Sequence, residues 1–224
     1  MENIFIIIQI IILDGILSID NAAALAGIAN TLPDKPSPIK WLGKTQRDAA
    51  LKAGIFGAYL GRGLMLLLAT FIIANPWLQV VGAVYLLYLV GTHFFNWAKW
   101  EPEFKGLNSF WTTVIMIEIA DLAFSIDNVV AVVALSQNIW IVIGGVFVSI
   151  IMIRFAASFF MKMIKFEPLL EHAAFVLIGV IAIELLLKFV HVEISEVVQF
   201  GISMGIILTF IIYGQLSRRL GVGE

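Results

Sequence analysis

Hydrophobic positions dominate this chain in long unbroken runs, separated by short polar connections. Seven runs are long enough to cross a bilayer core of about 30 Å as helix, which takes about 20 residues. They extend from Ile4 to Gly27, Gly54 to Ala74, Trp77 to Trp97, Phe110 to Leu135, Ile139 to Phe160, Ala173 to Phe189 and Val197 to Leu216. The runs are apolar on all faces and too long for barrel strands, which alternate and are shorter. The pattern therefore predicts an all-α polytopic membrane protein with seven transmembrane helices. All six prolines (Pro33, Pro36, Pro38, Pro76, Pro102 and Pro168) fall in the connections or at their edges, as expected if the runs are helices. The first run has no basic flank and no small-residue cleavage pattern, and it holds two aspartates, so it reads as a mature span rather than a secretory signal.

Composition agrees. Apolar residues make up 61% of the 224 and charged residues only 13%, against about 25% charged in soluble domains. Mean hydropathy is +1.00. A soluble enzyme, a nucleic-acid binder and a disordered chain are excluded. With no cysteine, thiol chemistry and Cys-based zinc sites are excluded too. The side on which each charge lies says more than the sum. With seven spans, Lys188 stands on the side of the amino terminus. The opposite side holds Lys35, Lys40, Lys44, Arg47, Lys52, Lys99, Lys105, Lys162, Lys165, Arg218 and Arg219. The positive-inside rule then puts the amino terminus outside and the carboxyl terminus in the cytoplasm of a cell bounded by its plasma membrane.

The motif D-x-x-x-S-I-D-N occurs twice, at Asp14–Asn21 and at Asp121–Asn128, an offset of 107. Arg62 and Arg154, and the pairs Asn75-Pro76 and Glu167-Pro168, repeat at an offset of 92. Spans one to three (4–97) and four to six (110–189) thus form two copies of one unit. A seventh helix (197–216) and a short cytoplasmic tail (217–224) follow within a single transmembrane domain (1–216). The first copy holds fifteen extra residues in the proline-rich connection after span one. Three crossings per copy turn the second copy upside-down, the inverted-repeat plan of transporters that bind cargo near the midplane. Spans one and four are expected to meet centrally, with span seven peripheral.

Six carboxylates lie within spans: Asp14, Asp20, Glu118, Asp121, Asp127 and Glu184. Each costs about 2.5–3.5 kcal/mol at a helix centre, so each is expected to face the interior and bind something. On a helix Asp14, Ser18 and Asn21 fall within an arc of about 60°, and Glu118, Asp121, Ser125 and Asn128 within about 80°. Asp20 and Asp127 lie about 120° off these stripes. Either they face a neighbouring span, or the helices unwind at S-I-D-N. Carboxylate, carboxamide and hydroxyl donors without thiolate suit a hard divalent cation: Mn²⁺, Mg²⁺ or Ca²⁺. Arg62 and Arg154 read as structural partners of these acids, which outnumber them. Glu184 stands alone and reads as structural. Gly57-x-x-x-Gly61 and Gly201-x-x-x-Gly205 read as helix-packing surfaces.

The paired segments LDGILSIDNA and EIADLAFSIDNVVAV resemble those of the TerC family of integral membrane proteins, and the resemblance covers essentially the whole chain. It implies manganese efflux, with supply of metal to exported enzymes and tellurite resistance as associated roles. It maps the family's acidic metal-site residues onto Asp14, Asp20, Asp121 and Asp127, with Asn21, Asn128 and Glu118 in the same motifs. Ile11 stands where the second copy has Glu118, so the two halves of any site differ. The expected function is a secondary transporter exporting Mn²⁺ or another hard divalent cation, not an enzyme. Protons are a candidate counter-ion, because an empty buried acid cluster favours the protonated form and a metal-filled one the ionised form. The alternative is a membrane metallochaperone or scaffold that hands metal to exported proteins without net flux, which allows membrane-protein partners or a homo-oligomer.

Overall fold

A computed structural model describes residues 7–8, 19–95, 109–136, 138–192 and 194–220, with the backbone alone for Ser109, Asp127, Val130, Ala131, Ala134, Leu135, Glu196, Arg219 and Leu220. Helices follow in the order α1 (Ile19–Asn30), α2 (Gln46–Leu67), α3 (Ala69–Ala74), α4 (Trp77–Phe95), α5 (Ser109–Leu135), α6 (Ile139–Phe166), α7 (Leu169–Phe189) and α8 (Glu196–Leu220). The described residues contain no β-strand. Helices α2, α4, α6, α7 and α8 are each long and apolar enough to cross a membrane. Helix α5 has 27 residues, about 40 Å, and carries the three acids of span four. Helix α1 is described over 12 residues, from Ile19. Of the rest of the first expected span, Ile7 and Ile8 are described and helical, while Asp14 and Ser18 lie outside the described residues.

The helix ends follow local chemistry. Span two, expected from Gly54, begins as helix at Gln46. Hydropathy misses the first two turns because Arg47, Asp48 and Lys52 are charged. Thr45 starts them with extended backbone (φ −111°, ψ 160°), and its Oγ1 accepts the Asp48 N–H at 3.3 Å. At Leu68 α2 gives way to α3, yet the i to i−4 bonds continue through it, from Leu68 to Leu64 and from Ile72 to Leu68, both 2.9 Å. The two pieces therefore act as one rod with a local distortion. Helix α6 ends where Glu167 takes an extended φ of −130° before Pro168, as a residue preceding proline prefers. Asn138 caps its other end by accepting the Trp140 N–H at 3.1 Å.

Helix α1 is buried from Asp20 to Asn30. Its small residues permit close contact: a Cβ added at Gly27 would lie 2.6 Å from the Ala174 Cβ of α7. Helix α1 packs against α6, α7 and α5, while α5 packs against α2 and α4. Helix α4 pairs with α7, α2 with α6, and α8 lies along α7 and touches α1. Leu25, Ile117, Leu177 and Ile178 mark the core between these helices. Phe56, Phe155 and Ile212 point outward, where a bilayer would cover them.

Candidate functional site

Among the described residues two arginines and two acids meet between α2, α5 and α6. The Arg62 Nη2 lies 3.1 Å from Asp121 Oδ1. The Arg154 Nη2 lies 3.3 Å from Asp121 Oδ2 and 3.2 Å from Glu118 Oε1, and it also donates to the Gly54 carbonyl at 3.1 Å. Arg62, Asp121 and Arg154 are buried. The geometry follows from spacing: Glu118, Asp121 and Ser125 share one face of α5. Ser125 turns its hydroxyl back, donating to the Asp121 carbonyl at 2.6 Å.

Glycines on α2 make room for this face. A Cβ at Gly54 or Gly57 would run into the Glu118 carboxylate, and one at Gly61 would lie 2.6 Å from Leu122. The expected packing role of Gly57 and Gly61 is therefore visible. Among the described residues no atom lies within 4 Å of such a Cβ at Gly201 or Gly205. Gly57→Ala is expected to push Glu118 off Arg154 and cost about 1–3 kcal/mol by overpacking. Thermal unfolding in detergent measures it, and an unchanged midpoint would count against the tight fit.

Asp20 sits apart from the arginines and is 2% exposed. Its Oδ1 accepts the Asn21 N–H at 2.8 Å. Its Oδ2 accepts from Ser203 Oγ at 3.2 Å and from Gln199 Nε2 at 3.5 Å. Among the described residues Asp20 meets neutral donors and no cationic side chain. Asp20 faces a neighbouring helix, α8; whether span one unwinds at its S-I-D-N falls on Ser18 and the residues before it, outside the described residues. The span expected at the periphery does flank the bundle, but it also lends two hydrogen bonds to a motif acid. Gln199 and Ser203 stand one turn apart on one face of an otherwise apolar run, a polar pair that hydropathy alone does not single out.

Helix α5 runs unbroken through Ser125–Asn128, so span four does not unwind at its motif. Asn128 is half-buried. The Asp127 side chain, like Asp14 and Ser18, lies outside the described residues. Glu184 is held by Lys188 one turn on, at 3.0 Å, in keeping with a structural role. His93 stacks on Phe175 with ring centroids 3.7 Å apart. Among the described residues no group of three or more histidine or acidic side chains is arranged to hold a metal ion.

Residues 1–220 match the family model described as integral membrane protein TerC family. The chain belongs to the TerC family of integral membrane proteins. It is 35% identical to the uncharacterized membrane protein YceF of Bacillus subtilis, over 96% of this chain and 84% of that protein. It is 31% identical to YkoY of the same organism, over 92% and 67%. It is 24% identical to the UPF0053 inner membrane protein YgdQ of Escherichia coli, over 83% and 81%. No solved structure matches it.

Proposed function

We propose that the chain is a secondary transporter carrying a hard divalent cation, Mn²⁺, out of the cytoplasm through two inverted three-helix repeats and a seventh helix. The observation that carries this is Asp20: a repeated, buried acid compensated only by neutral donors among the described residues. A carboxylate so placed gains most from an arriving cation. Asp14, Asn21, Asp127 and Asn128 complete the proposed cation path from the same two motifs. The packing supports the repeat reading. Helix α1 of one half lies on α6 and α7 of the other, and α5 lies reciprocally on α2 and α4. The choice of Mn²⁺ over other hard cations rests on the family resemblance.

In this reading Arg62 and Arg154 are internal stand-ins for the cargo. They hold Asp121 and Glu118 while no metal is bound. The cation reaches those acids only as Arg154 lets go, which couples binding to a shift of α6 against α5.

Export works against an interior-negative potential. The cost is about 2.3 kcal/mol per charge per 100 mV, or roughly 4.6 kcal/mol for a dication at that voltage. Proton entry supplies the opposing flow. The test is a proteoliposome holding a pH-sensitive dye, with Mn²⁺ imposed on one side. Mn²⁺ movement with opposite proton movement is expected. Flux without proton movement and without response to a pH gradient would sink the exchange. Binding without any net flux would favour a metallochaperone that hands metal to exported proteins.

A further inference from the structure

The residues between α1 and α2, the stretch by which the first repeat exceeds the second, fold into a closed hairpin. Pro36 and Thr45 form a β-bridge. The Ser37 N–H reaches the Lys44 carbonyl at 3.1 Å, and the Gln46 N–H reaches the Lys35 carbonyl at 2.9 Å. At the tip the Leu42 N–H closes a turn on the Ile39 carbonyl at 3.0 Å, and Ser37 Oγ braces it by accepting the Ile39 N–H. From below, Ile39 and Leu42 pack on the core. Gly43 lies so close to α2 that a Cβ there would be 2.9 Å from the Ala49 nitrogen.

The opposite side of this pinned hairpin is unusual. Trp41 is 84% exposed, on a turn whose backbone bonds hold it there. Lys40 and Lys44 flank it and Lys35 stands behind, all exposed. Of the nearby acids, Asp34 lies toward Lys165 at 3.9 Å, and Asp48 sits beneath Gly43 on the first turn of α2, so the three lysines outnumber the one acid on their side. A rigidly displayed indole in water forgoes its burial.

We infer that the hairpin is a membrane-surface anchor that binds anionic phospholipid headgroups of its own leaflet, with Trp41 as the apolar wedge. Three observations select lipid over protein. Lysine is depleted at protein–protein interfaces, whereas tryptophan and lysine together mark the bilayer interface. The contact of Gly43 with α2 keeps the tip beside the end of a helix that enters the membrane. The basic charge complements an anionic leaflet on the side that the positive-inside rule assigns to the cytoplasm. The inference is independent of the cargo.

The absence of cysteine makes a clean test possible. Pro38→Cys in the full chain carries an environment-sensitive fluorophore, and the protein is placed in nanodiscs of zwitterionic lipid with or without anionic lipid. The lipids bear a quencher near the headgroup. Anionic lipid is expected to deepen quenching. Each Lys→Gln change at positions 35, 40 and 44 is expected to lower the bound fraction relative to free roughly five-fold, and Trp41→Ser to reduce quenching in both lipids. Thermal unfolding checks that each variant is folded. The same comparison on intrinsic emission, wild type against Trp41→Phe, needs no label. Equal water exposure in both lipids, or quenching indifferent to Trp41→Ser, would overturn the inference and leave the hairpin as a docking surface for protein.

Discussion

Asp20→Asn is expected to abolish metal transport by the reconstituted chain while leaving it folded. The substitution keeps the shape and removes one charge. Ser203 and Gln199 still find an acceptor in the amide oxygen, so the contact between α1 and α8 survives, while the Asn21 N–H, which Oδ1 of Asp20 accepts, loses that partner to the amide NH2. What goes is the Coulomb attraction. A unit charge about 4 Å from a carboxylate is worth about 4 kcal/mol at an effective dielectric of 20, and a dication gains twice that. Losing about 2 kcal/mol of it already weakens binding about thirty-fold. Calorimetric titration with Mn²⁺ and flux in vesicles measure the two halves of the effect. Affinity undiminished in this variant would remove Asp20 from the site. Ser203→Ala, which leaves the carboxylate in place, is expected to weaken binding only several-fold.

Arg62→Met should instead act on folding first. Among the described residues Asp121 then shares Arg154 with Glu118, and one negative charge is left uncompensated. Breaking a buried pair in this way costs about 3–5 kcal/mol, enough to unfold many domains. The second substitution Asp121→Asn restores the balance among the described residues, leaving Arg154 with Glu118. The double variant is therefore expected to recover part of the loss, a coupling readable in a double-mutant cycle. A single variant as stable as the wild type would show that Arg62 is not a structural partner, and would turn attention to the cargo path.

Much of the architecture was legible because lipid-facing helices leave long apolar runs and prolines collect between them. The repeated motif was legible because acids are conspicuous in such runs, and it placed Asp20 and Asp121 among the buried residues. Helix α2 was read two turns short because its first turns carry charges and depend on the Thr45 cap rather than on hydropathy. The contribution of α8 was missed because Ser203 and Gln199 belong to no repeat. Neither residue is charged, and a hydroxyl one turn from an amide draws no notice beside six acids. The meeting of both arginines at Asp121 could not be read either, since helical spacing gives the face of each residue but not which faces of different helices oppose one another.

The packing of early helices on late ones bears on how the protein is made. Helix α1 finds its neighbours mainly in α6 and α7, and α2 finds its own largely in α5. A ribosome delivers these segments far apart in time. The first half emerges with its most buried helix still lacking the walls that enclose it, and no early domain can close behind the growing chain. Assembly waits for the late segments and then proceeds by docking of helices already inserted. In that interval the small-residue face of α1 and the acid at its start are open to whatever the insertion machinery offers. A chain truncated after α4 should therefore be recognised as unfinished and degraded, rather than persist as a folded fragment.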